Sequence, residues 1–509
     1  MFEIQKDIYK RKSQINFIQM KKLNLLLLSL IIFTINGYCQ LESYSLSGYK
    51  PPEYKFHSLN VQFNLNGNSS FRNISTESTD GDDMSSNSFG NNIDVDYRFY
   101  YNSDKYQTSF YASFATDYNY SKYNNGDKYS KGFSFDRDLD ISGTHRNYFT
   151  SNKFYGVSYL LSSSLVNSRA RDNQTTNISS DVIGKDDEKL SFRIKAELPI
   201  SFGLGRIDDV RYAKQTLFML KEMQKQGYVK ADLSDEEITK MADKIALLRN
   251  KRFFDSRLNQ IYQIEQLDSF LKGNQLVSTN KASYFATLYD QWQYGPNNTI
   301  NNGKRLTFSL VPGLYYQSFR AESFGVKETK LELPFEYWLK GKVDYINSKP
   351  INLYWHREYG VAGSVGLYSR TKTDDFSDKY LIAGTTANCY FNVSYTPNTR
   401  TYFTAGPSVS YLQQFDFTEN EKSLNNNKGY QIRSSLSGNA NYYLSPKLII
   451  SGDIRVNYTY TKEDQALSLS NIENDRPYYT PGNYNDLYNW ERQNEFYINY
   501  SVKLTYKFM

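Results

Sequence analysis

The chain is poor in cysteine and histidine and has almost no long hydrophobic run. Two cysteines, Cys39 and Cys389, stand in 509 residues. If Cys39 leaves with a signal peptide, a lone Cys389 forms no internal disulfide and no cysteine metal cluster. The three histidines are His57, His145 and His356. No P-loop, dinucleotide fingerprint, HExxH helix or zinc spacing occurs, and G-x-S-x-G is missing. The expectation is no cofactor, no metal, no catalytic residue and no enzyme. A mean hydropathy of -0.66 is too polar for a helical membrane protein. The formal net charge of +6 is mild for this length and gives no reason to invoke nucleic acid.

Aromatic residues are abundant instead: 47 Tyr and 32 Phe bring the aromatic share to 16%, as in the girdles of transmembrane barrels. The last segment is the clearest. Phe496, Ile498, Tyr500, Val502, Leu504, Tyr506 and Phe508 alternate with Tyr497, Asn499, Ser501, Lys503, Thr505 and Lys507. Successive strand side chains point to opposite faces, so one face is apolar and the other polar. This strand has no onward hairpin and must pair with an earlier one, which closes a sheet into a barrel.

The same alternation fills about 56–205 and 305–509. Leu190, Phe192, Ile194, Ala196, Leu198, Ile200, Phe202 and Leu204 share a face, opposite Arg193, Lys195 and Glu197. Leu331, Leu333, Phe335, Tyr337, Leu339, Val343 and Tyr345 oppose Glu336, Lys340, Lys342 and Asp344. Charges buried in a sandwich core would be costly, whereas a wet lumen accepts them. Short turns near 103–105, 150–153, 347–350, 397–400 and 444–447 alternate with longer polar loops near 74–87, 123–132, 168–188, 419–428 and 463–490. The pattern predicts an all-β membrane protein: an antiparallel transmembrane β-barrel of about 14 strands, within about 12–16, with both termini in the periplasm. Six of these strands precede residue 205. Pro199, Pro312, Pro334 and Pro407 fall inside predicted strands and weaken them locally.

Residues 206–293 change period. Val210, Ala213, Leu217, Leu220 and Met223 fit helical spacing, and Gly227 can end that helix. Ser234 and Glu237 form a capping box before Ile238, Met241, Ala242, Ile245 and Leu248. Leu258, Ile261, Ile264, Leu267 and Leu271 form another stripe, and a shorter helix covers about 279–292. This α-helical insert lies between the two barrel halves, as a periplasmic bundle or a plug. The predicted organisation is a signal peptide at 1–39, barrel at 40–205, insert at 206–293 and barrel at 294–509. Lys21 and Lys22 before the apolar Leu25–Ile35 core mark the signal, with Gly37 and Cys39 before the cut. Met20 is a plausible true start, with 1–19 upstream of it. Tyr38 is too bulky to precede an acylated cysteine.

The GLGRIDDV run at 203–210, followed by LSDEEI, KRFFDSR and LDSFL, resembles that of uncharacterised Bacteroidetes-type outer-membrane barrels with a helical insertion. The signal ending in Cys39–Gln40 and the Asn-, Tyr- and Lys-rich composition are similar too. The resemblance implies the outer membrane as location and assigns no functional residues.

Parity makes Arg193, Lys195, Glu197, Glu336, Lys340, Lys342, Asp344, His356 and Glu358 the candidate lumen lining. His356 and Glu358, two apart, could act as a base and its orienter, although no nucleophile signature accompanies them. Asp136, Asp138 and Asp140 share one strand face as hydrated carboxylates. The expected partners are the outer-membrane lipid bilayer and a periplasmic protein met through 206–293. The leading functional expectation is porin-like passage of small solutes, with the insert restricting the lumen. The alternative is an interaction barrel that docks an envelope partner through the insert. A hydrolase around His356 ranks third.

Overall fold

The computed structural model describes residues 44–506, except 77–78, 126–127, 176–181, 231, 252–255, 278, 295–299, 324–334, 372–378, 417–418, 421–422, 425–427, 446–447 and 464–491. The chain divides into a unit of residues 1–45 and a unit of residues 46–509. The signal-peptide segment with Cys39 lies outside the described residues, as do Leu331, Leu333, Pro334, Phe508 and nearly all of 463–490.

Seven strands precede the insert: β1 Tyr54–Thr76, β2 Thr79–Asn102, β3 Tyr106–Asn125, β4 Lys128–Thr150, β5 Lys153–Thr175, β6 Val182–Glu197 and β7 Ile200–Asp209. Eight long strands follow, besides a separate pair of two-residue strands at Glu419–Asn420 and Ser423–Leu424: β8 Asn301–Ser323, β9 Phe335–Pro350, β10 Trp355–Thr371, β11 Lys379–Asn398, β12 Thr401–Asp416, β13 Lys428–Tyr443, β14 Leu448–Glu463 and β15 Arg492–Tyr506. All of β1 to β15 belong to one 15-stranded antiparallel sheet, and its neighbours follow chain order. Both β6 and β7 pair with β5 and with β8. These two therefore share one position, and the 15 strands fill fourteen. Six positions lie before the insert and eight after it, as the alternation predicts.

The prolines mark where the ladder is interrupted. Leu198 and Pro199 break β6 from β7; Leu198 N donates to the Pro312 carbonyl at 3.1 Å, and Ser158 N to the Pro199 carbonyl at 2.8 Å. Proline has no N–H to give, so a break is the cheapest place for it. At Pro407 the β11–β12 ladder skips from Tyr390–Ser408 to Val393–Ala405.

Several predicted loops prove to be strand. β1 has 23 residues and β2 has 24, whereas a tilted membrane strand needs about 9–11. The predicted loops at 74–87 and 123–132 shrink to the tips of the β1–β2 and β3–β4 hairpins. Polar side chains bond across the β1–β2 ladder leading to the first of these tips, as in Asn64–Asn92 at 3.2 Å and Ser69–Asn87 at 2.5 Å, so polarity there does not end the pairing. β9 likewise runs through Pro350, which moves the turn expected at 347–350 to 351–354.

One sheet face is apolar and exposed, including Leu198, Ile200, Phe202 and Leu204 on β6–β7 and Val361, Val365 and Leu367 on β10. Lone Cys389 is exposed on this face. The other face carries the charges. β1 and β15 are the ends of the strand order. Among the described residues no ladder joins them. Val61 on β1 is 67% exposed and Tyr500 on β15 is 82% exposed, as at open edges.

Four helices form the insert: α1 Arg211–Lys225, α2 Asp235–Asn250, α3 Ser256–Gly273 and α4 Ala282–Gln293. Among the described residues no helix is long and apolar enough to cross a membrane. The capping box is present: Ser234 N donates to Glu237 Oε2 at 2.8 Å, and Glu237 N to Ser234 Oγ at 3.3 Å. α1 is buried on nearly all sides, polar Lys214, Gln215 and Thr216 included. On α3 the predicted stripe holds at Leu267 and Leu271 and fails at Ile261. Ile261 is exposed, and Gln263 is buried with Leu267 and Leu271. The Gln263 amide links three helices: it donates to the Leu248 carbonyl at 3.0 Å and accepts from Trp292 Nε1 at 3.0 Å. Apolarity alone selected Ile261; the need of two buried polar groups for a partner selects Gln263.

The bundle lies across the sheet end where the short turns gather. Tyr212 meets Tyr54 edge-on, with ring centroids 6.0 Å apart. Phe218 packs on Tyr354 of the β9–β10 turn. Arg400, beside the β11–β12 turn, donates to Asp290 at 2.6 Å, and Tyr294 meets Tyr443 at the end of β13.

Gly205 has φ +89°, and a Cβ there would collide with the Lys304 carbonyl. Gly227 has φ +71° with open space around its Cβ position. Gly227→Ala should cost about 1 kcal/mol, the left-handed penalty alone. Gly205→Ala should cost clearly more, because the β7–β8 ladder must move. Denaturant titration of the two variants checks this; equal midpoints would show that the ladder absorbs the methyl group.

Candidate functional site

The residues predicted to line the lumen all project from the face opposite the exposed apolar side chains. Lys340 is 5% exposed, and its Nζ sits 3.2 Å from Glu197, which Lys195 approaches at 3.6 Å. Lys340 also lies over the rings of Trp338 and Tyr368. Lys342 pairs with Asp344 at 3.2 Å. Glu336 is buried on β9, two residues before Trp338. Arg193 sits on β6 opposite Ser164 and Gln317. Trp338, Tyr368 and Leu412, from three strands, form an apolar cluster on this same face, which hydropathy patterning missed.

His356 and Glu358 come together through a third residue. Ser348 Oγ lies 2.9 Å from His356 Nε2 and donates to Glu358 Oε2 at 2.8 Å. His356 Nε2 also lies 2.9 Å from the Asn301 carbonyl, and Tyr390 donates to Glu358 at 3.2 Å. A serine–histidine–acid relay needs the histidine between serine and acid. Here the serine is in the middle, and it is 0% exposed. This knot ties β9, β10 and β8 together and offers no reachable nucleophile. Of the aspartates on β4, Asp140 accepts from Ser162 at 2.5 Å. Among the described residues no group of His, Cys, Asp and Glu is gathered to hold a metal.

Two cavities lie behind these residues. One of about 210 Å³ is lined by side chains from β2, β3, β4, β7, β8, β9 and β10, so the sheet curls around it. The other, of about 560 Å³, adjoins it and shares Arg146, Arg305 and Ile346 with it. Arg146 and Arg305 were not among the predicted site residues. Their signal was the parity that marks Lys195: Arg146 is in phase with Ser142 and Thr144, and Arg305 with Thr307 and Ser309.

The GLGRIDDV run has a mechanical role at the cavity's end. Arg206 donates to Asn102 Oδ1 and to the Ser103 and Asp104 carbonyls at 2.9–3.0 Å, and pairs with Asp208 at 2.8 Å. Gln107 donates to the Ile207 carbonyl at 3.0 Å and accepts from Tyr148 at 2.8 Å. The motif thus fastens β7 to the β2–β3 turn. Asp209 then accepts from the Arg211 backbone at 3.0 Å, at the start of α1. A carboxylate suits that end of a helix.

The chain matches no protein-family model and no curated protein.

Lys214 of α1 is 4% exposed, near enough to His356 for its charge to act on the ring. Burial pushes its ammonium down to about 7 from an ordinary 10.5. Between those values the unfolded chain binds more protons than the folded one, so stability should rise with pH across that window and be unaffected by this group below it. Thermal unfolding followed by the helical circular-dichroism signal should show a rise that Lys214→Met reduces. The same pH dependence in both proteins would mean that Lys214 is not the group responsible.

Proposed function

We propose that this chain is an outer-membrane β-barrel that passes small solutes, with the helical bundle restricting one mouth. It would belong with the Bacteroidetes-type barrels that its insert resembles. The observation that carries the reading is the split of one curled sheet into an exposed apolar face and a charged inner face around cavities. Lipid suits the first face and aqueous solute the second. An antiparallel sheet with fourteen positions supports it, because an even number returns both termini to one side. The placement of the helices across the turns of β9–β10, β11–β12 and β13–β14 supports restriction of that mouth.

A second reading draws on a separate observation. Leu247, Ile261, Phe285 and Tyr289 leave large apolar surfaces exposed on the bundle. Such surface suits a periplasmic protein partner. The serine-centred knot at His356 lends a hydrolase no support.

The ladder offers a clean cut. Asp209 and Asn301 are paired across β7 and β8. Replacing 210–300 with a short turn should leave a hairpin and a folded barrel with larger conductance in a planar bilayer. Unchanged conductance with loss of a co-purifying periplasmic protein would instead favour docking. If neither changes, both readings fail.

A lipid environment cannot tolerate the open edges of β1 and β15, because their backbone groups find no water there. In a Cys389→Ser background, Val61→Cys combined in turn with Ile498→Cys, Tyr500→Cys and Val502→Cys should give a disulfide for one pairing in outer-membrane fractions. Absence of every cross-link in those fractions would sink the closed barrel.

A further inference from the structure

Apart from Arg146 and Arg305, the charged residues lining the two cavities have partners. Glu197 is taken by Lys340 and Lys195, Asp344 by Lys342, and Glu358 by Ser348 and Tyr390. Arg146 and Arg305 differ. They project from β4 and β8 into the same two cavities, and the charge of Arg305 acts on Arg146. Among the described residues neither guanidinium has an ion-pair partner. Arg146 lies over the Phe154 ring, 5.9 Å away, and Asp344, whose charge reaches Arg305, is held by Lys342.

Two like charges held together in a partly dry cavity repel each other, and an arrangement of this kind is stabilised when an anion sits between them. The larger cavity is lined by four cations, Arg146, Arg305, Lys340 and Lys342, against two carboxylates, Glu197 and Asp344. The excess is two positive charges, which a dianion neutralises. The guanidinium fork matches two oxygens of a phosphate better than it matches a monatomic ion. Ser158, Ser201, Thr307 and Ser309 add hydroxyls along the same wall. At about 560 Å³ the cavity has room for more than a bare phosphate and falls in the range of small-molecule sites.

We propose that Arg146 and Arg305 form a binding site for a small phosphate-bearing anion inside the sheet, inorganic phosphate or the phosphomonoester of a small polyol. This names the solute class of the passage reading and rests on it for how the anion arrives, but equilibrium binding does not require conduction. Glu358 lines the smaller cavity and accepts from Ser348 and Tyr390.

The test uses the full chain in detergent, with inorganic phosphate and glycerol phosphate as probes in isothermal titration calorimetry. Acetate serves as the monoanion control. Both probes should bind saturably and more tightly than acetate, and binding should weaken as salt rises. Arg146→Gln and Arg305→Gln should each weaken it at least tenfold, while Arg305→Lys should lose less. Heat-modifiable gel migration shows that each variant is folded. Lys349→Gln, outside the cavity lining, should bind as the parent does. Absence of saturable binding by either probe overturns the proposal, as does unchanged affinity in both folded glutamine variants. Binding by a chain that does not conduct supports the site and sinks the passage reading. Conduction without binding does the reverse.

Discussion

A sheet that is apolar on its outer face must place its polar groups on the inner one, where they are satisfied by each other, by water or by an entering solute. That constraint organises this protein. Lys340 reaches past β8 to Glu197, and Lys342 takes the carboxylate two residues along its own strand. Ser348 sits between His356 and Glu358. Each solution is local, within a strand or between near neighbours, because strand spacing fixes which inward side chains can meet. Among the charged residues that line the cavities, the arginines at 146 and 305 are the exception.

Much of the fold was legible because strands and helices have different periods. Alternation through Leu190–Leu204 assigned the faces of β6 and β7 even across the Leu198–Pro199 break. The fourteen positions follow from the same pattern. Turn chemistry located the hairpin at 103–105 and, within the turn expected at 397–400, the one at 399–400, and Ser234 with Glu237 located the start of α2. The hairpin tips were misread as loops because Asn, Ser and Asp suggest turns when their cross-strand partners are unknown. Ile261 was misread because hydropathy cannot foresee that Leu248 and Trp292 both need Gln263.

The site was legible in its parity and not in its pairings. Alternation puts Lys195, Glu197, Lys340 and Asp344 on the face away from the apolar side chains, since a face needs only local sequence. That Glu197 belongs to Lys340, and that Ser348 stands at the centre of the His356 knot, depends on which strands become neighbours and in what register. Arg146 and Arg305 lie in segments with no motif. Only the curl of the sheet brings them to a common cavity.

The anchoring of α1 has a consequence for how the chain assembles. Arg206 and Gln107 tie β7 to the β2–β3 turn using residues that all precede the second half of the sheet. The helices that follow contain mostly near-neighbour contacts, which form faster than pairings between distant strands. Tyr354, Arg400 and Tyr443 are synthesised later, and each ends against a helix already made. The bundle can therefore act as a jig: three successive hairpins find their height by landing on it. A one-residue slip in any of them would turn its apolar face inward and lift its turn off the helix, so two independent penalties guard the same register.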